Sequence, residues 1–160
     1  MMNPEDKVLW NIKRINLEME NVMNCILEDI GLTASQGAVL LYILEHPGQY
    51  LCSTELHLRV GISKATVSSL LKKLRQKGYI QFIPCRSDDR QKLIQATAKA
   101  ELLRELLHVR IQEMEQGVLS IFTEEDEHAL VSSLQKLSRS LKTFRSGSVQ
   151  QIKQKEMHVL

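Results

Sequence analysis

The sequence predicts a mainly α-helical protein that contains one small β-hairpin. Apolar residues recur at intervals of three and four along most of the 160 residues, as they do on one face of a helix. After Gly78 the hydrophobic pattern shortens to the period of strands. A short helix, a turn at Gly61, a second helix and a hairpin follow one another, which is the order of a winged helix-turn-helix.

The first two predicted helices are separated by Gly31. Thr33 is placed to cap the second, "SQGAVLLYILE", because its side chain can accept a hydrogen bond from a free backbone N–H of the first turn. His46 and Pro47 end this helix. The first helix carries one apolar stripe, formed by Leu9, Ile12, Ile15, Met19, Val22, Met23 and Ile26.

The third and fourth helices and the hairpin come next. "STELHLRVG" is a short helix that ends at Gly61, and the fourth helix begins after a Ser63 cap and ends before Gly78. Two strand-forming runs, "YIQFIP" and "KLIQAT", flank the polar segment "CRSDDRQ". We expect this segment to be a hairpin loop that is too long for a two-residue turn.

Two more helices are predicted after the hairpin. One is continuous over residues 99–122, and the other covers residues 124–144 with Thr123 as its cap; the polar tail from Arg145 either frays or extends it. The leucines of these two helices carry more apolar surface than a compact winged lobe can bury, so we expect a symmetric partner to cover them. The alternative is that they pack onto the chain's own lobe. The leucines are Leu102, Leu103, Leu106, Leu107, Leu130, Leu134, Leu137 and Leu141.

Basic charge is concentrated in one part of the chain. Residues 63–92 hold eight Lys and Arg against two Asp, a local charge of +6, whereas the whole chain carries +2 and the remainder therefore −4. A solvated surface is the simplest explanation of such a run. Its position on a helix and a hairpin that could both meet DNA favours a nucleic-acid interface instead.

The fourth helix has two contrasting faces. Val67, Leu70, Leu71 and Leu74 share one face and should pack inward. The opposite face has no bulky apolar residue, so its backbone can approach the floor of a major groove while hydroxyls meet base edges and lysines meet phosphates. The predicted DNA-binding residues of this helix are Ser63, Lys64, Ala65, Thr66, Ser68, Ser69, Lys72 and Lys73.

The hairpin supplies a second set of DNA-binding candidates. Arg86, Arg90 and Lys92 lie close together in the sequence, and one of these side chains could enter the adjacent minor groove, whose potential attracts arginine. Asp88 could orient Arg90 through a charge-assisted hydrogen bond, or it could simply form the turn.

The sequence resembles the MarR family of bacterial transcriptional regulators from about Leu32 to Leu137. The resemblance is carried by "LTASQGAVLLYI", "STELHLRVGISKATVSSLLKKLRQKGYI", "SDDRQKLIQATAKA" and "FTEEDEHALVSSLQKL". The family's wing pattern, Asp-x-Arg followed seven residues later by Thr, matches Asp88, Arg90 and Thr97. Asp89, Ala96 and Ala100 depart from the family's usual Arg, Leu and Gly.

The resemblance implies a homodimeric, ligand-responsive repressor that binds double-stranded DNA at a pseudo-palindromic operator. Its first and last helices would interlock, so Leu9 and Ile12 join Leu102, Leu106, Leu130, Leu134, Leu137 and Leu141 as dimerisation candidates. The whole of residues 1–160 would form a single domain. Residues 32–98 would be the DNA-binding lobe, residues 1–30 and 99–145 the dimerisation region, and residues 146–160 a tail.

Family members respond to small aromatic ligands, to thiol oxidation or, in a few cases, to zinc. Met19 and Met23 could line a ligand pocket, although core packing is the simpler role for them. Cys52 at a helix N-terminus, Cys25 and Cys85 are redox candidates, with inert thiols as the alternative. We expect no metal site, because no two histidines are four residues apart.

Other classes of function are less well supported by the sequence. A winged helix can also be a protein-interaction module, in which case the basic segment would meet an acidic partner. The sequence contains no phosphate-binding loop and no nucleophile motif, so we expect neither an enzyme nor a cofactor. The N-terminus lacks a signal-peptide core and the apolar run at residues 38–44 is too short to span a membrane, so we expect a cytoplasmic protein with no membrane contact.

Overall fold

The computed structural model describes residues 7–47, 51–85 and 88–156, with side chains over residues 7–47, 51–85 and 92–145. It is mainly helical with a two-stranded antiparallel sheet, as predicted. The elements in chain order are α1 (Val8–Leu27), a 3-10 turn (Glu28–Ile30), α2 (Ala34–Glu45), α3 (Ser53–Val60), α4 (Lys64–Gln76), β1 (Ile80–Cys85), β2 (Asp88–Ala96), α5 (Ala98–Glu101), α6 (Arg104–Leu119) and α7 (Glu124–Glu156).

The chain divides into two compact units, Met1–Met114 and Glu115–Leu160. The first unit contains α1 to α5, the hairpin and most of α6, and the second contains the end of α6 and all of α7. Over the described ranges, no single helix is long and apolar enough to cross a membrane; α1 with its 3-10 turn and α2 meet that test only when joined, across a bend of 73°.

The apolar core of the first unit is built on the inward face of α4. Val67 and Leu74 are completely buried, and Leu70 and Leu71 are nearly so, which confirms the predicted inward face of this helix. These side chains pack with buried residues from α1, α2, α3, both strands and α6, among them Leu27, Val39, Leu40, Leu44, Leu56, Ile80, Ile94 and Leu107.

The predicted helix caps explain why the helices begin and end where they do. Thr33 and Gln36 form a capping box in which each side chain accepts the other's backbone N–H. The Ser63 hydroxyl accepts the Thr66 N–H at 3.1 Å at the start of α4. Cys52 stands at the N-cap position of α3, but its side chain makes no capping hydrogen bond.

The end of α4 is fixed by a Schellman motif. Gly78 takes the left-handed conformation, with φ +76°, which only glycine adopts without strain. The Tyr79 N–H bonds the Leu74 carbonyl at 3.0 Å, and the Gly78 N–H bonds the Arg75 carbonyl at 2.9 Å. The chain therefore leaves α4 in a defined direction and enters β1 two residues later.

Basic side chains bind carbonyls at the ends of helices and thereby connect elements distant in sequence. The last carbonyls of a helix lack intrahelical partners and lie at the negative end of its dipole, so cations stabilise them. Lys77 donates to the Gly31 carbonyl, Lys99 to that of Lys77 at 2.7 Å, Arg104 to that of Leu44, and Arg110 to that of Ile26 at 2.8 Å.

The predicted long hairpin loop is wrong. Pairing continues to Cys85 opposite Asp88, so only residues 86 and 87 separate the strands. The register shifts between Pro84 and Cys85, because Pro84 lies opposite Lys92 whereas Cys85 lies opposite Asp88. This irregularity takes up residues that we assigned to the loop. Proline has no N–H for the ladder, which suits it to such a position.

The predicted continuous helix over residues 99–122 is also wrong, because it breaks at Leu102 and Leu103. The Leu103 N–H bonds the Ala100 carbonyl at 2.9 Å, a tight turn that ends α5. The break lets Leu103 pack against the core while Leu102 is 85% exposed. No glycine or proline marks the position in the sequence.

The last helix, α7, begins with the predicted Thr123 cap. The Thr123 hydroxyl accepts the Asp126 N–H at 3.2 Å, and the Asp126 carboxylate accepts the Thr123 N–H at 3.1 Å. The Thr123 hydroxyl also donates to the Asp126 carboxylate at 2.8 Å. This hydrogen bond, together with the one from the Thr123 N–H, holds the pKa of Asp126 below its ordinary value. The helix continues past Arg145 to Glu156, so the polar tail extends α7.

The ion pair between Asp29 and Arg110 should make stability depend on pH. The Arg110 guanidinium hydrogen-bonds the Asp29 carboxylate, with one N···O distance of 2.7 Å, and lowers the pKa of Asp29 from 3.8. A carboxyl whose pKa is lowered in the folded state contributes stability above its unfolded pKa, and this contribution is lost as the pH falls through the folded pKa. Asp29→Asn should therefore reduce the free energy of unfolding at pH 7, and the difference from wild type should shrink below about pH 4.

Denaturant titrations at several pH values would measure this difference. Glu28→Gln is the matched control, because Glu28 is the neighbouring exposed carboxylate and makes no ion pair with any described residue. A reduction in stability that stays constant from pH 7 to pH 3 would contradict the prediction.

Candidate nucleic-acid interface

The outward face of α4 consists of small, hydroxyl and basic side chains. All eight residues predicted to contact DNA from this helix are exposed. Ser63 and Thr66 are occupied with each other at the first turn, since their hydroxyl oxygens lie 2.7 Å apart. Lys72 and Lys73 form no ion pair with any side chain that the structure describes, which leaves both ammonium groups available to an anion.

The hairpin, which we call the wing, is fastened to the end of α4. The Thr97 hydroxyl donates to the Gly78 carbonyl at 2.7 Å, and the Thr97 N–H donates to the Tyr79 carbonyl at 3.0 Å. The Ile94 N–H bonds the Leu51 carbonyl at 2.8 Å, which ties β2 to the segment before α3. The wing and the outward face of α4 are thereby held side by side.

The predicted DNA-binding residues of the wing are only partly visible. Lys92 is exposed on β2 opposite Pro84. Asp88 and Arg90 have their backbones in β2, but their side chains and the whole of Arg86 lie outside the described residues. The pairing of Asp88 with Arg90 therefore stays a prediction.

A groove between α4 and the wing contains two residues that sequence reasoning missed. Its volume is about 390 Å³, and the Arg75 guanidinium carbon stands 5.7 Å from the centre of the Phe82 ring. The spacing of Arg75, three residues after Lys72 on the same helix, is the one sequence signal that could have found it. The groove is lined by Ser68, Lys72, Arg75, Gln76 and Phe82.

The predicted sensor residues lie in different environments. Cys25 is exposed, Cys52 is half-buried and Cys85 is buried. Met19 is 49% exposed on α1, whereas Met23 packs against the core. In the part of the chain that the structure describes, no three His, Cys, Asp or Glu side chains are grouped as a metal site would require.

Most of the predicted dimerisation residues are exposed. In the first unit Leu9 is 58% and Leu102 is 85% exposed, whereas Ile12 and Leu106 are half-buried. Leu107, which shares the leucine stripe, is completely buried in the core of its own unit. In the second unit Leu130, Leu134 and Leu141 are exposed and Leu137 is half-buried.

The chain is similar to known transcriptional regulators. The family model that matches residues 30–91 describes the MarR family. YwoH of Bacillus subtilis (strain 168), named as an uncharacterized HTH-type transcriptional regulator, is 32% identical over 103 residues, which cover 64% of this chain and 73% of that protein. YybA of the same organism carries the same description and is 25% identical over 134 residues, covering 84% and 88%.

Solved structures agree with these relatives. The crystal structure of the S. aureus MepR–DNA complex matches this chain with a TM-score of 0.79 and 28% identity, over 84% of this chain and 98% of MepR. The capped α4, the wing fastened to its end and the matching relatives together indicate the family of this protein. The chain belongs to the MarR family of DNA-binding, winged helix-turn-helix transcriptional regulators.

Proposed function

We propose that this protein is a homodimeric repressor that reads a pseudo-palindromic operator and is released by a small aromatic effector. The observation that carries sequence-specific binding is the outward face of α4. It combines Ala65, Ser68 and Ser69, which are small enough to approach base edges, with lysines at its sides. We propose that Ser69 and its neighbours read bases and that Lys64, Lys72 and Lys73 bind phosphates.

The wing would add contacts beside those of α4. Lys92 is exposed on β2, and the wing is held next to α4 by the two hydrogen bonds of Thr97. We propose that Arg90 or Arg86 enters the minor groove next to the major groove that α4 occupies, and that Asp88 orients Arg90. This arrangement would place the lobe of residues 32–98 over one half-site.

The proposed homodimer rests on exposed apolar side chains in both units. Leu9, Trp10 and Leu102 are each about half exposed or more in the first unit, and so are Val131 and Leu141 in the second. Apolar surface on this scale is covered by a partner in most stable proteins, and a symmetric partner requires no second gene product. Residues 1–30 and 99–145 would form this dimerisation region, and two lobes would then bind half-sites about one helical turn of DNA apart.

We propose that the effector contacts the methionines of α1. Met19 on α1 is exposed and Met23 is half-buried, and flexible thioethers adapt well to aromatic ligands. Oxidation is a second means of release, for which Cys25 is the exposed thiol. The proposed regulator would act in the cytoplasm, where its DNA is found.

The base-reading role of Ser69 can be separated from the phosphate-binding role of Lys72. Ser69→Gln should redistribute preference among bases of the half-site, because a single good base contact is worth about 1–3 kcal/mol of discrimination. Lys72→Gln should weaken binding to all sequences by a similar factor, because phosphates carry no base information. Binding of each variant to a randomised half-site library, at several salt concentrations, would measure both effects.

The same experiment tests whether DNA is the partner at all. Wild-type affinity for the selected duplex should fall steeply with added salt, because each phosphate contact releases counterions. Unchanged base preference in Ser69→Gln would remove α4 from the role of reader. Failure of the wild type to enrich any sequence would favour an acidic protein partner for the basic surface.

The proposed dimer predicts the effect of charge on α7. Changing Leu134 and Leu137 together to Glu should give monomers, because four carboxylates would be buried in the dimer without partners. Sedimentation equilibrium at micromolar concentration would measure the mass. Arg139→Gln is the control, since Arg139 lies on the opposite side of α7 from the leucines and should leave the dimer intact. A monomeric wild-type chain would overturn the proposal.

A further inference from the structure

Arg75 and Phe82 form a cation–π pair across the groove between α4 and the wing. Arg75 lies in the last turn of α4, and its guanidinium carbon is 5.7 Å from the centre of the Phe82 ring. Phe82 belongs to β1 and is half-buried, with its ring packed against the core. The ring therefore holds the arginine over the junction of α4 and the wing rather than leaving it to move freely in solvent.

Two further basic side chains surround this pair. Lys72 lines the groove of about 390 Å³ on the α4 side of Phe82, and Lys92 lines an adjoining groove of about 400 Å³ on the strand side. Arg75 and Phe82 line both grooves. Lys72, Arg75 and Lys92, which we call the basic cluster, thus line two adjoining grooves that share Arg75 and Phe82.

The charge of the basic cluster is not neutralised by any carboxylate whose side chain the structure describes. Arg59, Arg104 and Arg110 of the same unit each pair with a carboxylate. No described carboxylate lies within ion-pair distance of Lys72, Arg75 or Lys92. Two grooves lined by three cations, with no carboxylate among their described lining residues, are suited to a phosphate group.

The position of Arg75 near the end of α4 favours a phosphate over a base. Residues at the N-terminal end of a recognition helix contact base edges, whereas Arg75 lies near the C-terminal end of α4. The Phe82 ring leaves the guanidinium N–H groups without a strong hydrogen-bond acceptor, so they can bind two phosphate oxygens together. A guanidinium already held in place loses less side-chain freedom when it binds.

We propose that Arg75, positioned by Phe82, binds a backbone phosphate of the operator between the groove that α4 enters and the groove that the wing enters. Lys72 and Lys92 flank the same phosphate. This inference rests on the proposed function, because it requires α4 and the wing to occupy neighbouring grooves of one duplex. Phe82 acts only through Arg75 and is a positioning residue.

Salt dependence of DNA binding tests this role of Arg75. The probe is the duplex that the wild-type chain enriches most strongly from a randomised library. Arg75→Gln should weaken binding roughly tenfold or more, as expected for a hydrogen bond to a charged group. It should also reduce the slope of log affinity against log salt by about 0.9 for each phosphate that the variant no longer neutralises, or roughly two for a dimer. Base preference should not change.

A pair of Phe82 variants tests the positioning role. Phe82→Tyr keeps the aromatic face and should bind DNA like the wild type, whereas Phe82→Leu keeps an apolar side chain but should weaken binding roughly threefold. In the Arg75→Gln background, Phe82→Leu should have no further effect on DNA affinity, because the ring acts only on the arginine. A purely structural role for Phe82 would instead weaken DNA binding equally in both backgrounds.

Matched controls decide between the outcomes. Arg139→Gln removes the same charge from α7, on the side away from its leucines, and should leave the salt slope unchanged. Thermal unfolding of each variant identifies any loss of fold, and if Phe82→Leu does not fold, the Arg75→Gln result alone decides the phosphate contact. If the wild-type chain binds DNA and the Arg75→Gln variant has the same affinity and the same salt slope, only this inference is overturned. A wild-type chain that enriches no duplex overturns the proposed function as well.

Discussion

Burial of the inward face of α4 is the constraint on which the rest of the first unit depends. Each of its four apolar side chains contributes roughly 1.5–3 kcal/mol when it leaves water. Rotating α4 by a single residue position would expose part of this face and bury Ser68 or Lys72 in its place. The core therefore determines which side chains face outward, and the small and basic face of α4 is a consequence of that packing.

The basic residues of this protein have two different roles that a count of charges does not separate. Lys77 is one of the eight basic residues between positions 63 and 92, yet it binds the Gly31 carbonyl and lies 2.9 Å from the Gln36 side chain. Lys99, Arg104 and Arg110 likewise bind carbonyls at helix ends. Lys72, Arg75 and Lys92 have no such partner among the described residues and remain available to an anion. Fewer basic side chains are thus available at the interface than the number of Lys and Arg in the sequence suggests, and their positions are more closely defined.

The junction between α4 and the wing links the fold to DNA binding. Gly78 ends α4, and Thr97 joins the start of α5 to that same end through hydrogen bonds to the Gly78 and Tyr79 carbonyls. Because both strands of the wing begin or end at this point, the distance between α4 and the wing does not depend on a flexible loop. A rigid spacing of this kind is what two contacts in neighbouring grooves require.

Local signals in the sequence determined most of the fold. The caps at Thr33, Ser63 and Thr123, the glycines at positions 31, 61 and 78, and the two faces of α4 all depend on interactions within a few residues, so spacing alone revealed them. The break at Leu102 and Leu103, the register shift at Pro84, the tethering of Lys77 and the pairing of Arg75 with Phe82 were decided only by the tertiary structure. Three of these four depend on neighbours from another element, and the turn at Leu103 depends on how that side chain meets the core. Contacts of this kind leave no periodic trace in the sequence.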